Sequence, residues 1–295
     1  MSLTYKIFEF GMKAADVKHY YDMPEDEFLE YLKTEQRPMD IPDFFYKDFN
    51  VNREEFEGRL VFTIKPKSGA SDKAILYLHG GGGIMCPTRL HYKMAAYLVE
   101  NTGATMYFPF YPLAPEYTAL ESVDWLKKLY SKIMKSRDSK NITFIGDSAG
   151  GFLAARLCSL VADKPSGVVL ISPMTGTDKK DEASMAARRS DILLSEFVID
   201  IVGKYWGEGI PLDSPDFNAE YIDYSGFPPV VLYYGTNEMF YPHMGRLIAN
   251  IKSRGVPVEA HAGEGLCHDW AIALGIPEGK RAIQRMCAFV NRKGE

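Results

Sequence analysis

What the chain lacks narrows it first. Its apolar runs, such as "GVVLISPM" (167–174), stay below half of the roughly 18 residues needed to cross a bilayer. The N-terminal stretch "MSLTYKIFEFGMK" has no basic-then-apolar leader layout. Lys and Arg (34) are outnumbered by Asp and Glu (39), a net charge of −5, so no basic field favours nucleic acid or an anionic membrane. Cys86, Cys158, Cys267 and Cys287 lack CxxC spacing, and the six histidines form no HExxH or Cys/His cluster. Zinc sites and disulfide frameworks are therefore not expected, and reduced thiols suit a cytoplasmic protein. No internal repeat or low-complexity linker is present, and the run "DKKDEASMAARRS" (178–190) reads as a solvated helix face.

What is present is ordinary globular material. Hydrophobic residues make up 46% and charged residues 25% of 295 positions, enough for a sizeable core. Strand character appears at 44–51, 59–65, 73–79, 104–110, 141–146, 167–172, 229–235 and 256–262. The first two mix polar residues as edge strands do, whereas the middle ones are continuous apolar runs suited to parallel strands covered on both faces. Helical patterns lie between them at 87–103, 116–136, 148–163, 242–255 and 278–293. Strand-helix alternation from residue 73 onward implies a mostly parallel sheet with helices on both faces. Residues 1–43, which include the helical "PEDEFLEYLKTEQ", and residues 174–227, which include "LLSEFVIDIVGKYW", fall outside the alternation. Rich in Phe, Tyr, Met and Ile, they are expected to cap a catalytic domain spanning 44–295.

The chemistry starts at "GDSAG" (146–150), a G-x-S-x-G pentad between an apolar strand and an Ala/Leu-rich helix. A sharp turn there exposes the Ser148 hydroxyl, and the helix N-terminus behind it favours a developing oxyanion. A serine nucleophile needs a base, and the base needs an orienting carboxylate. Glu238 follows one later strand and His268 follows the next, so Ser148, Glu238 and His268 form the expected triad in that order. Asp223 precedes its strand, Asn237 carries no charge, and Asp269 is too near His268 in sequence to reach round behind it. His19, His91 and His243 read as helix-face residues, and His261 as a strand residue.

Taken together, "HGGGG" (79–83), "YPLAPEYTALESVDW", "GDSAGG", "DSPDF", "GTNE" and "CHDW" resemble the hormone-sensitive-lipase-like (bacterial family IV) esterases of the α/β-hydrolase superfamily. The resemblance covers most of residues 60–295. It implies an eight-stranded, mostly parallel α/β-hydrolase sheet flanked by helices, with a helical cap. It further implies an oxyanion hole made by the amides of Gly81, Gly82 and Ala149, with His79 and Gly80 supporting the loop. Gly83 and Ile84 stand where relatives often carry an aromatic residue, so an open pocket rim is expected above Gly83 unless a neighbouring side chain fills it.

These residues lead to the expectation of a serine carboxylesterase for short- to medium-chain esters, working without metal or organic cofactor. The same triad could serve an amidase, deacetylase or peptidase. A third reading is a ligand-binding hydrolase relative without turnover, like the plant gibberellin receptors. The expected partner is a small ester. Nucleic acid and membrane insertion are not expected, and the resemblance allows a homodimer through the last strand and its helix.

Overall fold

Side chains that alternate between two faces of one sheet organise this chain. Ala74, Leu76 and Leu78 enter one apolar cluster, while Ile75 and Tyr77 between them enter another. Val168 and Leu170 against Val169 and Ile171 repeat the pattern, as period-2 strands buried on both faces must. The computed structural model describes residues 1–16, 18, 23–36, 40–176, 181–195 and 197–292. Its strands are β1 (Phe49–Phe56), β2 (Arg59–Pro66), β3 (Ala74–Leu78), β4 (Thr105–Pro109), β5 (Ile142–Asp147), β6 (Gly167–Ile171), β7 (Val230–Gly235) and β8 (Val258–Gly263). They form one eight-stranded sheet in the order β1-β2-β4-β3-β5-β6-β7-β8. β2 runs antiparallel to β1 and β4, and the remaining pairs are parallel.

The helices in chain order are α1 (Leu3–Ala14), α2 (Glu25–Glu35), α3 (Phe44–Asp48), α4 (Arg89–Thr102), α5 (Ala119–Ile133) and α6 (Ala149–Leu160). They continue with α7 (Glu182–Ser190), α8 (Val198–Val202), α9 (Tyr241–Ser253) and α10 (Pro277–Val290). α5, α6 and α9 cover one sheet face through residues such as Leu126, Leu153 and Leu247. α4 and α10 cover the other through Leu98, Ile283 and Met286. Their ends follow local chemistry. Thr118 and Glu121 form a reciprocal capping box that starts α5, and Gly103 at φ +69° closes α4.

Two sequence expectations need correction. The strand expected over 44–51 begins only at Phe49, because residues 44–48 form α3. Pro42 and Asp43 open a helical turn, with the Phe45 and Lys47 amides donating to their carbonyls at 2.9 and 3.1 Å. The four-residue spacing of Phe45 and Phe49 then brings their rings within 5.7 Å. β1 continues to Phe56 as a polar, half-exposed edge strand, which hydrophobicity alone does not reveal. The run 178–190 is also not wholly solvated: residues 178–180 lie outside the described residues, and in α7 both Ser184 and Arg188 are buried. Arg188 pairs with Asp200 at 3.4 Å.

The helical turn at α3 makes a stability prediction. Phe45→Ala is expected to cost about 3–5 kcal/mol in denaturant unfolding, whereas the exposed Tyr46→Ala should cost about 1 kcal/mol or less. Equal losses would argue against α3.

Candidate active site

Three loops at the carboxyl ends of β5, β7 and β8 bring Ser148, Glu238 and His268 to one edge of the sheet. Ser148 links β5 to α6 with φ 52° and ψ −119°, a conformation L-residues rarely adopt and one expected where strain serves a site. Its flanking glycines are required by backbone proximity. A Cβ on Gly146 would lie 2.2 Å from the Gly150 carbonyl, and one on Gly150 would lie 2.0 Å from the Leu78 carbonyl. The turn is pinned by the Ser148 amide donating to Ile171 O at 2.8 Å, and by the Met174 amide donating to Ser148 O at 2.9 Å.

Glu238 is buried, with Oε2 accepting from Ser172 Oγ at 2.7 Å and from the Gly235 amide at 2.9 Å. That oxygen lies 3.8 Å from His268 Nδ1. The other ring nitrogen, Nε2, lies 3.2 Å from Asp269 Oδ2. Asp269 therefore does reach His268, on the side opposite Glu238, because its backbone turns into the left-handed region at φ 55°. Ser172 bridges the two carboxylate loops, since its Oγ also accepts the Asp269 amide at 3.1 Å.

Burial pushes the Glu238 carboxyl up to about 8 against the opposing pull of His268, Ser172 and Gly235. Burial would lower His268, but the adjacent Asp269, followed by Glu238, raises it to about 10. Burial raises Asp269 as well. Two carboxyls and one imidazole thus share a poorly solvated site in which the charge on each acts on the others.

The glycine loop approaches from β3. Gly81, Gly82 and Gly83 have φ values of +106°, +66° and +69°, which only glycine adopts freely. The Gly81 carbonyl takes the Ile84 and Met85 amides at 3.0 and 2.9 Å. Among the described residues, the amides of Gly81 and Gly82 have no protein acceptor, and neither has that of Ala149 at the start of α6. His79 lies below the loop, its ring stacked on Tyr111 at 4.5 Å. Its Nδ1 donates to the Gly80 carbonyl at 2.7 Å, and burial lowers its pKa to about 3, so it stays neutral. The space above Gly83 is closed: a Cβ there would meet the Trp206 ring at 2.3 Å, which overturns the open rim expected from the sequence.

Sequence reasoning missed Asp147, Ser172 and Asp191. The buried Asp147 accepts from the Gly80 amide at 2.8 Å, from Tyr77 Oη at 2.7 Å and from His91 Nε2 at 2.9 Å. The Thr88 amide donates to His91 Nδ1 at 2.8 Å, which leaves the ring proton on Nε2. Burial opposes the charge on Asp147, but these donors hold the carboxyl below its ordinary value. Asp191 takes the Met239 amide next to Glu238 at 2.8 Å. Only Asp147 had a signal, its place within the pentad. His91 is thus a buried site residue and not merely a helix face, and His19 lies outside the described residues.

Ser148, His268 and Asp269 line a cavity of about 490 Å³ together with Gly81 and Gly82. Its apolar wall comes from Met12 and Tyr31 near the N-terminus and from Met174, Leu194, Val198 and Val202 of the later insertion. Tyr5 of α1 reaches the histidine loop, its hydroxyl accepting the Cys267 amide at 2.8 Å. A second Ser-His-Glu series occurs at Ser184, His243 and Glu220, with contacts of 3.0 and 2.9 Å. Ser184 is completely buried, however, and its hydroxyl donates to Asp181 Oδ2 at 2.7 Å.

This chain belongs to the alpha/beta hydrolase fold family, whose pattern matches residues 75–272. It is similar to Esterase LipU of Mycobacterium tuberculosis, 25% identical over 238 residues that cover 74% of this chain and 77% of that one. An esterase of Acinetobacter venetianus is 24% identical over 233 residues, 77% of each chain. The solved structure of an esterase from the bacterial hormone-sensitive lipase family superposes with a TM-score of 0.77 at 25% identity, covering 96% of this chain and 97% of that one. The chain is thus a hydrolase of the hormone-sensitive-lipase-like group. Among the described residues no helix is long and apolar enough to cross a membrane, and all four cysteines are free.

The contact between His268 and Asp269 can be tested by titration. Removing the Asp269 charge removes a term favouring imidazolium, so Asp269→Asn should move the His268 midpoint down by about one pH unit or more. Carbon-13 NMR of the imidazole reads this directly, and an unchanged midpoint would show that Asp269 does not control the ring's charge.

Proposed function

We propose that the protein is a serine carboxylesterase for short- to medium-chain esters, with Ser148 as nucleophile, His268 as general base and Glu238 as its orienting carboxylate. The reading is supported above all by one juxtaposition. A serine in a strained strand-to-helix turn shares an apolar cavity with a histidine that has a carboxylate behind it. Residues 1–43 and 174–227 are assigned as the cap over a catalytic unit within 44–295, a division supported by their contributions to the cavity wall.

In this mechanism Ser148 Oγ attacks the ester carbonyl as His268 Nε2 takes its proton. Nε2 is the nitrogen beside Asp269 in the free protein, a contact that favours imidazolium, so the ring must leave it and give up that proton before it can serve Ser148 as a base. Glu238, fixed by Ser172 and the Gly235 amide, holds the ring from the Nδ1 side. The amides of Gly81, Gly82 and Ala149 receive the oxyanion, each donor lowering the barrier by about 2.7–4 kcal/mol. His268 then protonates the leaving alcohol, and water attacks the acyl-enzyme by the reverse proton path. The cavity volume falls within the range of about 300–1,000 Å³ typical of small-ligand pockets, and its aliphatic wall suits an acyl chain of limited length.

Hydrolysis of p-nitrophenyl esters from acetate to decanoate tests the reading, with an optimum expected below the longest chain. Ser148→Ala should lower kcat by about 10⁴-fold or more, and Glu238→Gln by about 10²–10⁴-fold. Wild-type turnover by Ser148→Ala would rule the mechanism out.

A further inference from the structure

Among the described residues the amides of Gly81 and Gly82 have no protein acceptor; their planar peptides are held through the carbonyls, with Gly80 O taking His79 Nδ1 and Gly81 O taking the Ile84 and Met85 amides. Neighbouring anchors exist at the Gly80 amide on Asp147 and at the Ala114 amide on the Gly83 carbonyl. The Gly82–Gly83 peptide has neither its carbonyl nor its amide hydrogen-bonded among the described residues, and glycine backbone rotates easily. Packing must restrain it, and that packing comes from the cap insertion.

Val202 and Trp206, four residues apart, both face the loop. A Cβ on Gly82 would lie 2.9 Å from Val202 Cγ2, and one on Gly83 would lie 2.3 Å from Trp206 Cδ2. Trp206 is fully buried, and its Nε1 donates to Ser122 Oγ of α5 at 3.1 Å. Its ring meets Phe152 of α6 edge-on at 5.9 Å and Phe217 at 6.1 Å. One indole therefore touches the glycine loop, α5 and the helix that begins after Ser148. The backbone that delivers it is a π-helical turn, Gly203–Gly207, the wider turn often found at functional sites.

We infer that Trp206 is a positioning residue for the oxyanion hole: the indole, with Val202 beside it, holds the Gly82–Gly83 peptide so that the free amides converge near Ser148. The inference rests on the esterase reading above. Val202 also lines the ester cavity, so an acyl chain resting on it presses the same turn onto the glycines. Binding energy from the chain then reaches the reacting carbonyl and acts on kcat.

The test compares Trp206→Ala and Trp206→Phe with the wild type. It measures kcat, KM, cooperative melting and affinity for an alkyl boronic acid, whose tetrahedral Ser148 adduct places an oxygen among the amides. Trp206→Ala should lower kcat by about 10–100-fold with KM changed less than about threefold, and boronate affinity should fall in parallel. Trp206→Phe should show the same signature with a smaller loss, about 3–10-fold. A Trp206→Ala variant that folds and keeps kcat within about twofold would overturn the inference, as would a change confined to KM. If the Ala variant does not fold, wild-type kcat and boronate affinity in Trp206→Phe overturn it equally. Failure of the esterase reading shows elsewhere, as turnover that persists in Ser148→Ala.

Discussion

One buried carboxylate keeps the parts of this site in register. Asp147, at the last position of β5, joins the glycine loop through the Gly80 amide, α4 through His91 and the centre of the sheet through Tyr77. A charge so far from water would be strongly unfavourable alone, and removing any one donor would leave it partly unsatisfied. The turn at Ser148 therefore cannot shift without the glycine loop. The same contact explains Gly80, where a Cβ would lie 2.3 Å from Asp147 Oδ2. The first glycine of the loop answers to a carboxylate, Gly81 and Gly82 to the oxyanion in the reading proposed here, and Gly83 to an indole.

The segments proposed as the cap belong to this arrangement and are more than a cover. Asp191 ties the insertion to the segment carrying Glu238, Trp206 lies on the glycine loop, and Tyr5 of α1 accepts the amide next to His268. Each loop of the site thus has a contact from outside the alternating strands and helices. In the esterase reading proposed here, pocket shape and the alignment of the reacting groups share the same residues, so a change in the cap that alters chain preference should also alter rate.

Much of this was legible in the sequence because it rests on local patterns. The central strands are continuous apolar runs, the pentad lies between a strand and a helix, and Glu238 and His268 directly follow strands. What escaped reading depends on contacts between distant segments. β1 starts later than its apolar pattern implies, because an edge strand keeps a polar face and because Pro42-Asp43 starts a helical turn. Trp206 could not be paired with Gly83, since 123 positions and a π-turn separate them. Sequence distance places Asp269 out of reach of His268, whereas a left-handed residue brings its carboxyl to Nε2. Ser172 had no motif to mark it, being an ordinary strand-end serine until two loops meet at its hydroxyl.

Ser184, His243 and Glu220 carry a separate lesson. Their spacing alone matches a catalytic relay better than the spacing around His268, where Nδ1 stands 3.8 Å from Glu238. Yet the Ser184 proton already rests on Asp181, and no substrate carbonyl can reach a hydroxyl with no exposed surface. A template search that scored only interatomic distances would choose the inert serine in this protein. What separates the two is an open approach and a hydroxyl whose proton is still free to leave.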